Sequence, residues 1–137
     1  MKYLLDTNVF IFLITKDFGR LSFKQKQIIF DSTSELYLSE ASFYELGIKV
    51  RLEKPDFAHI NIQTIDTDRK KNGIKLLKAK PVYFTNIPNV PKVIGSGNKI
   101  HGDPFDLLII SQALVEDLPI LSTDSFFPLY VGLTVVP

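Results

Sequence analysis

Short apolar segments alternate with helical segments along this chain, and this alternation is the feature that most restricts its fold. The first of them, Lys2–Leu5, predicts a buried strand, and a segment with helical periodicity follows it. Strands that alternate with helices predict a parallel sheet covered by helices on both faces. We therefore expect an α/β protein with three layers, α/β/α, around a central and mainly parallel sheet. The predicted strands span residues 2–5, 35–38, 74–77, 119–122 and 133–136, the last of them at an edge.

Capping signals place helices between these strands. Ser39 and Asp103 are favoured N-cap residues, and Pro104 suits the first helical position because its missing N–H is not needed there. Gly73 is expected to end a helix in the C′ position. Prolines and glycines interrupt residues 80–102, so only a short helix and a mobile loop are predicted there. The predicted helices span residues 8–16, 23–32, 40–53, 61–72 and 104–117.

Length and composition exclude several classes of protein. A chain of 137 residues predicts one domain, residues 1–137, that can bury a core without covalent cross-links. The absence of cysteine excludes a disulfide framework, a thiolate zinc site and a cysteine nucleophile, and it fits a cytoplasmic location. No targeting segment is recognised, and the apolar run over residues 9–14 is too short to span a membrane.

The charge of the chain is unevenly distributed. The formal net charge is +1, yet residues 69–102 carry eight basic residues and no acidic one. Such a basic stretch suits an anionic polymer held by its phosphates, although a solvated basic face is an equally good interpretation. The residues that we predict to contact RNA, called here the four candidate lysines, are Lys70, Lys71, Lys75 and Lys78.

Acidic residues follow the ends of strands or begin a helix. Asp6 ends the first strand, Asp124 follows the fourth, and Asp103 and Asp106 begin the helix between them. Each has a purely structural alternative, as a helix cap or a turn residue. A parallel sheet, however, brings such positions to one edge, where clustered carboxylates repel one another unless a divalent cation neutralises them. The pattern therefore predicts a metal-dependent enzyme.

Glu45 lies in the middle of a predicted helix with little polar surface. A carboxylate on a buried helix is costly unless it is paired or bound to a metal, which favours a functional role. Lys49, four residues later, is an alternative partner. His101 gives a weak signal, and the sequence contains no Ser–His–Asp arrangement, phosphate-binding glycine loop or zinc-ligand spacing.

Four blocks of sequence combine these acids with characteristic neighbours. The blocks are Tyr3-Leu4-Leu5-Asp6-Thr7-Asn8, Ser39 to Lys49 around Glu45, His101 to Asp106 with Gln112-Ala113, and Ser122 with Asp124. Together they resemble the PIN domain, specifically the VapC-like toxin ribonucleases of toxin–antitoxin pairs, and the third block, with its Asp-Pro-Phe-Asp core, is the most specific. Departures are Tyr44, where the family usually has Trp, and Leu107, where Arg often follows the second Asp.

The resemblance implies an endoribonuclease that uses Mg²⁺ or Mn²⁺ and leaves a 5′-phosphate and a 3′-hydroxyl. It also implies a homodimer and a small antitoxin protein as partner. Asp103, Thr7, Asn8 and Ser122 would support the catalytic groups. The catalytic and metal-binding residues, called here the acidic quartet, would be Asp6, Glu45, Asp106 and Asp124.

Other functions remain open from the sequence alone. The chain could be a non-catalytic PIN-like binding module, although it retains all four acids. It could also process RNA in a housekeeping role rather than act as a toxin. A receiver-type signalling domain needs an acidic pair after the first strand, where only Asp6 is present. A haloacid-dehalogenase phosphatase needs a second Asp at the position of Asn8.

Overall fold

The computed structural model describes the backbone of residues 1–137 and every side chain except that of Ser96. Its centre is a five-stranded sheet in the order β3-β2-β1-β4-β5, and every pair of neighbouring strands is parallel. The strands are β1 Lys2–Leu5, β2 Glu35–Ser39, β3 Lys75–Leu77, β4 Ile120–Leu121 and β5 Val135–Val136. The predicted α/β class is confirmed, and the sheet is wholly rather than mainly parallel.

Helices connect the strands and cover both faces of the sheet. Short 3₁₀ turns lie at Phe18–Arg20, Pro55–Phe57, Ile87–Asn89, Ser96–Asn98 and Phe127–Leu129. The helices are α1 Thr7–Ile14, α2 Phe23–Ile29, α3 Glu40–Arg51, α4 Ile65–Lys71, α5 Pro81–Thr85 and α6 Pro104–Glu116. Within the described residues, no helix has the length and apolar character needed to cross a bilayer.

The central strand β1 faces two separate hydrophobic cores. Leu5 belongs to a cluster that includes Phe10 on α1, whereas Leu4 belongs to a cluster that includes Ile110 on α6. Both leucines are completely buried. Because neighbouring side chains of a strand point to opposite faces, one short apolar segment can hold both helical layers together.

The predicted caps are present and fix where the helices begin. The Ser39 hydroxyl accepts a hydrogen bond from the backbone N–H of Ala41 at 3.0 Å, and α3 begins at Glu40, directly after Ser39. Asp103 caps α6 with Pro104 at the first helical position. Gly73 follows α4 with a φ of +68°, a left-handed conformation in which glycine lacks the steric cost of other residues.

Two predicted helices extend three or four residues beyond the observed end, whereas the other predicted helix ends lie within two residues of the observed ones. The helix predicted from residue 61 begins only at Ile65, because the Asn61 side chain accepts the backbone N–H of Gln63 at 3.1 Å and forms a turn instead. The helix predicted to reach residue 32 ends at Ile29, and Asp31 then binds the backbone N–H of Thr33 at 2.9 Å. In both cases a short polar side chain competes with the helix for backbone hydrogen bonds.

Gln25 on α2 ties together the ends of two strands. Its side chain is completely buried, and Nε2 donates to the carbonyl oxygens of Ser122 at 3.2 Å and Val136 at 3.0 Å. Strands β4 and β5 have only two residues each, so this amide extends their connection beyond the sheet ladder. The backbone of Ser122 is thereby held in place at the end of β4.

Candidate functional site

Three strand ends meet at the carboxyl edge of the sheet. Asp6 follows β1, Ser122 follows β4, and Ser39 is the last residue of β2. The backbone N–H of Asp6 donates to the carbonyl of Leu121 at 3.0 Å, which aligns the ends of β1 and β4. The topology thus brings residues that are distant in sequence to one place, as the strand pattern predicted.

Asp6 is both a helix cap and a buried charge. Its Oδ1 accepts the backbone N–H of Val9 at 2.8 Å, and its Oδ2 accepts the hydroxyl of Ser122 at 2.5 Å. The residue is only 4% exposed. Burial outweighs these hydrogen bonds and raises the pKa of Asp6 from 3.8 to about 6. The structural and functional interpretations of Asp6 are therefore compatible.

Asp124 lies in a turn next to the same pair. The Ser122 hydroxyl oxygen accepts the backbone N–H of Asp124 at 3.0 Å, while Asp124 Oδ1 accepts the backbone N–H of Phe126 at 2.7 Å. Ser122 therefore connects Asp6 to the Asp124 turn. These contacts are compatible with the supporting role predicted for Ser122, which stays a prediction.

Asp106 faces the other carboxylates from the first turn of α6. Its backbone N–H donates to Oδ1 of Asp103 at 2.9 Å, which is the predicted cap. Burial, followed by the negative charges of Asp103, Asp124, Glu45 and Asp6, raises the pKa of Asp106 from 3.8 to about 8. The members of the acidic quartet thus lie within electrostatic reach of Asp106.

Glu45 is buried and fully engaged by other side chains. Thr7 donates its hydroxyl to Oε1 at 2.6 Å, and the Lys49 ammonium donates to Oε2 at 2.5 Å. Thr7 also shares a hydrogen bond of 2.9 Å with the buried hydroxyl of Ser42. The sequence left a functional Glu45 and a Glu45–Lys49 pair as alternatives, and the structure shows that the pair forms.

Two aromatic rings support a histidine that the sequence signalled only weakly. His101 Nε2 lies 3.4 Å from Oδ2 of Asp106, and Nδ1 lies 2.6 Å from the Tyr130 hydroxyl. Its ring stacks on Phe126 at 4.6 Å between centroids. Burial and the nearby acids raise the pKa of Tyr130. His101 shares a motif with Asp106, whereas nothing in the sequence pointed to Tyr130.

Asn8 borders a cleft that the lysine partner of Glu45 also lines. It is exposed and borders an open cleft of about 420 Å³ that lies between α1, α3 and the turn at Pro55–Phe57. Cationic side chains of Arg20 and Lys49 line the same cleft, as do Asp17 and Asp56. The supporting role of Asn8 therefore stays a prediction, and its side chain borders this cleft.

The four candidate lysines are divided between the two edges of the sheet. Helix α4 leads into the start of β3, so Lys70, Lys71 and Lys75 lie towards the amino edge, away from the quartet. Lys75 pairs with Glu35 at 2.7 Å, and Lys70 pairs with Asp66 at 3.4 Å. Lys78 follows β3 and lies at the carboxyl edge.

The donor chemistry of this edge fits a hard divalent cation. Carboxylate oxygens are the preferred protein ligands of Mg²⁺. Burial is the main cause of the raised pKa values of Asp6 and Asp106, and the neighbouring carboxylates raise the pKa of Asp106 further. Among the described residues, no three acidic or histidine side chains are close enough to form a ready-made ligand set. The carboxylates would therefore have to close around an ion.

Comparisons with known proteins agree with this architecture. VapBC2 from Rickettsia felis, solved with a DNA fragment from its promoter, matches with a TM-score of 0.67 and 16% identity over 99% of this chain and 98% of that chain. VapBC-1 from nontypeable Haemophilus influenzae matches with a TM-score of 0.63 and 19% identity over 99% and 97% of the two chains. No curated protein matches significantly. The family model of the PIN domain matches residues 3–131, nearly the whole chain, and the chain therefore belongs to the PIN domain family.

Proposed function

We propose that this protein is an endoribonuclease that hydrolyses RNA phosphodiester bonds with the help of Mg²⁺ or Mn²⁺. The observation that carries the proposal is the convergence of the acidic quartet at the carboxyl edge. Ser122 connects Asp6 to the Asp124 turn, and the other three carboxylates lie within electrostatic reach of Asp106. Buried carboxylates oppose folding, and clusters of groups with perturbed pKa values are typical of functional sites. Membership of the PIN domain family supports a nuclease.

Each residue of the site has a proposed task. Asp6 and Asp106 would hold the ion, which supplies polarisation of the scissile phosphate and stabilises charge on the leaving oxygen. Asp124 is the proposed acceptor of the proton from the attacking water, since both oxygens of Glu45 are already engaged. Ser122 holds Asp6 and the Asp124 turn together, and Asp103 fixes the start of α6.

The proposed biological role is that of the toxin in a toxin–antitoxin pair in the cytoplasm. The structural likeness to two VapBC complexes supports an antitoxin partner for this chain. The homodimer is a further part of the proposal and follows only from the resemblance of the sequence blocks. An antitoxin segment that enters the site should carry Arg or Lys, because a cation would relieve the repulsion among the carboxylates. A housekeeping role in RNA processing would use the same chemistry without an antitoxin gene beside it.

A cleavage assay tests the proposed activity. The purified chain should cut labelled RNA with Mg²⁺ or Mn²⁺ and should not cut it in EDTA, and Asp106→Asn should abolish cleavage. Asp117→Asn is the matched control because Asp117 is exposed at the opposite end of α6, in a left-handed conformation that Asn tolerates. Full cleavage in EDTA, or by Asp106→Asn, would exclude this mechanism. No cleavage with either metal would instead leave a non-catalytic binding module.

A further inference from the structure

The carboxylates at the site differ in how their charge is balanced. Glu45 has a lysine ammonium on one oxygen and a hydroxyl donor on the other. Among the residues with described side chains, no lysine or arginine pairs with Asp6, Asp106 or Asp124. The site therefore has a half around Glu45 that carries its own lysine and a half without one, in which His101 Nε2 lies 3.4 Å from Oδ2 of Asp106.

Lys49 is held in place by more than its contact with Glu45. Its Nζ lies 4.9 Å from the centre of the Phe57 ring, close enough for a cation–π interaction. It is four residues from Glu45 on α3, a spacing that places both side chains on the same face of the helix. These contacts define the position of the ammonium group beside the carboxylates.

The ammonium group also faces a space that a substrate could occupy. The Lys49 side chain is 31% exposed, in contrast to 7% for the side chain of Glu45. Lys49 lines the open cleft of about 420 Å³ together with Asn8, two residues after Asp6. The lysine therefore lies between the buried carboxylate and an opening large enough for a stretch of RNA backbone.

We propose that Lys49 is a built-in cation of this site and contacts a non-bridging oxygen of the RNA phosphate. In this arrangement Lys49 occupies the place of a second divalent ion, and the chain binds a single ion on the side of Asp6 and Asp106. The inference rests on the proposed nuclease function, and it assigns a residue and a metal stoichiometry that this function leaves open.

Electrostatics excludes two cations at the same oxygen of Glu45. A divalent ion bound to Oε2 would lie within a few ångströms of the Lys49 ammonium, which donates to that oxygen at 2.5 Å. Like charges at such separations repel strongly where water is partly excluded. An ion could bind there only if Lys49 moved away and left its contact with Phe57. Removal of the lysine charge should therefore open a second metal site.

Calorimetric titration with Mn²⁺ measures the stoichiometry directly. The wild-type chain should bind one ion, and Lys49→Met should bind two because Glu45 is released. Two ions on the wild-type chain, or one ion on both proteins, would overturn the proposal. No ion on either protein, together with cleavage in EDTA, would instead reject the metal-dependent function itself.

Kinetics measures the second part of the proposal. Loss of one group that stabilises transition-state charge typically costs about 10²-fold or more in kcat, so Lys49→Met should lose about that much kcat with little change in KM. Excess Mn²⁺ should restore part of the loss, and Lys49→Arg should keep more activity than Lys49→Met. Arg51→Met, two residues later and exposed, is the control and should cleave like wild type.

A second pair of variants, Glu45→Gln with and without Lys49→Met, keeps the test valid if Lys49→Met alone misfolds. Lys49→Met leaves the buried Glu45 without its partner, which can destabilise the fold strongly. The double variant Glu45→Gln, Lys49→Met removes both charges and should fold. It should cleave about 10²-fold more slowly than Glu45→Gln alone. Equal rates for these two proteins, or normal kcat in a folded Lys49→Met, would leave Lys49 a structural residue and refute its contact with the phosphate.

Discussion

Replacement of Asp6 by Asn should stabilise the metal-free protein near neutral pH. Asp6 is 4% exposed, and burial raises its pKa from 3.8 to about 6. Asn caps a helix about as well as Asp, so the hydrogen bond to the Val9 N–H should survive the change. The substitution therefore removes a buried charge without removing the cap.

The size of the effect follows from the pKa. A rise from 3.8 to about 6 corresponds to about 3 kcal/mol of lost stability once the carboxyl is ionised in both states. The Ser122 hydroxyl loses an anionic acceptor in Asp6→Asn, which costs about 1 kcal/mol. The net gain of about 2 kcal/mol should raise the Tm by about 4–8 °C for a chain of this size.

The pH dependence distinguishes this cause from other effects of the substitution. The folded protein holds the Asp6 proton more tightly than the unfolded chain does, because its pKa is raised on folding. The contribution of Asp6 to stability is therefore greatest below about pH 4 and is lost as the pH rises through about 6. The advantage of Asp6→Asn should be near zero at pH 4 and complete at pH 7.

Thermal melts in EDTA at several pH values measure this difference. Asp31→Asn is the control, because Asp31 is exposed and its hydrogen bonds to Thr33 lower its pKa. That variant should gain no stability as the pH rises. An Asp6→Asn protein with the same Tm as wild type at pH 7, or with an advantage that is independent of pH, would refute the electrostatic argument.

Three further predictions concern the support of the site, its substrate and its assembly. Ser122→Ala should lower the free energy of unfolding by about 1–3 kcal/mol in urea titrations, because buried Asp6 loses a donor; an unchanged midpoint would contradict this. If the four candidate lysines touch phosphates, each change to Ala should reduce the slope of log binding constant against log salt concentration by about one. An unchanged slope would leave these lysines a solvated face. Sedimentation at tens of micromolar should detect a homodimer, and a monomer would count against it.

Local signals predicted the fold well where one residue decided the outcome. The caps at Ser39 and Asp103 are present because each side chain bonds to the backbone a few residues away. The predicted start of α4 was wrong because Asn61 forms a turn that competes with the helix. Sequence periodicity does not measure that competition. Boundaries of this kind depend on small differences in backbone energy.

The site was less predictable because its contacts span the chain. The strand pattern correctly brought Asp6 and Ser122 together, since the topology of a parallel sheet requires it. It could not show that Tyr130 reaches His101, because that contact depends on the path of the loop after β4. The count of basic residues also could not show at which edge of the sheet they lie. That position depends on whether each residue precedes or follows a strand.

The order of strands in the sheet affects when the site can form during folding. Strand β1 pairs with β2 early in the sequence, but Asp6 and Ser122 are 116 residues apart. Contacts so distant along the chain form late, after the entropy of closing a long loop has been overcome. Pulse-labelled hydrogen exchange should find the Ser122 amide protected after those of β2. A growing chain on the ribosome thus holds Asp6 without its partners until β4 has emerged, so the proposed RNA-cutting site cannot form before Ser122 has been synthesised.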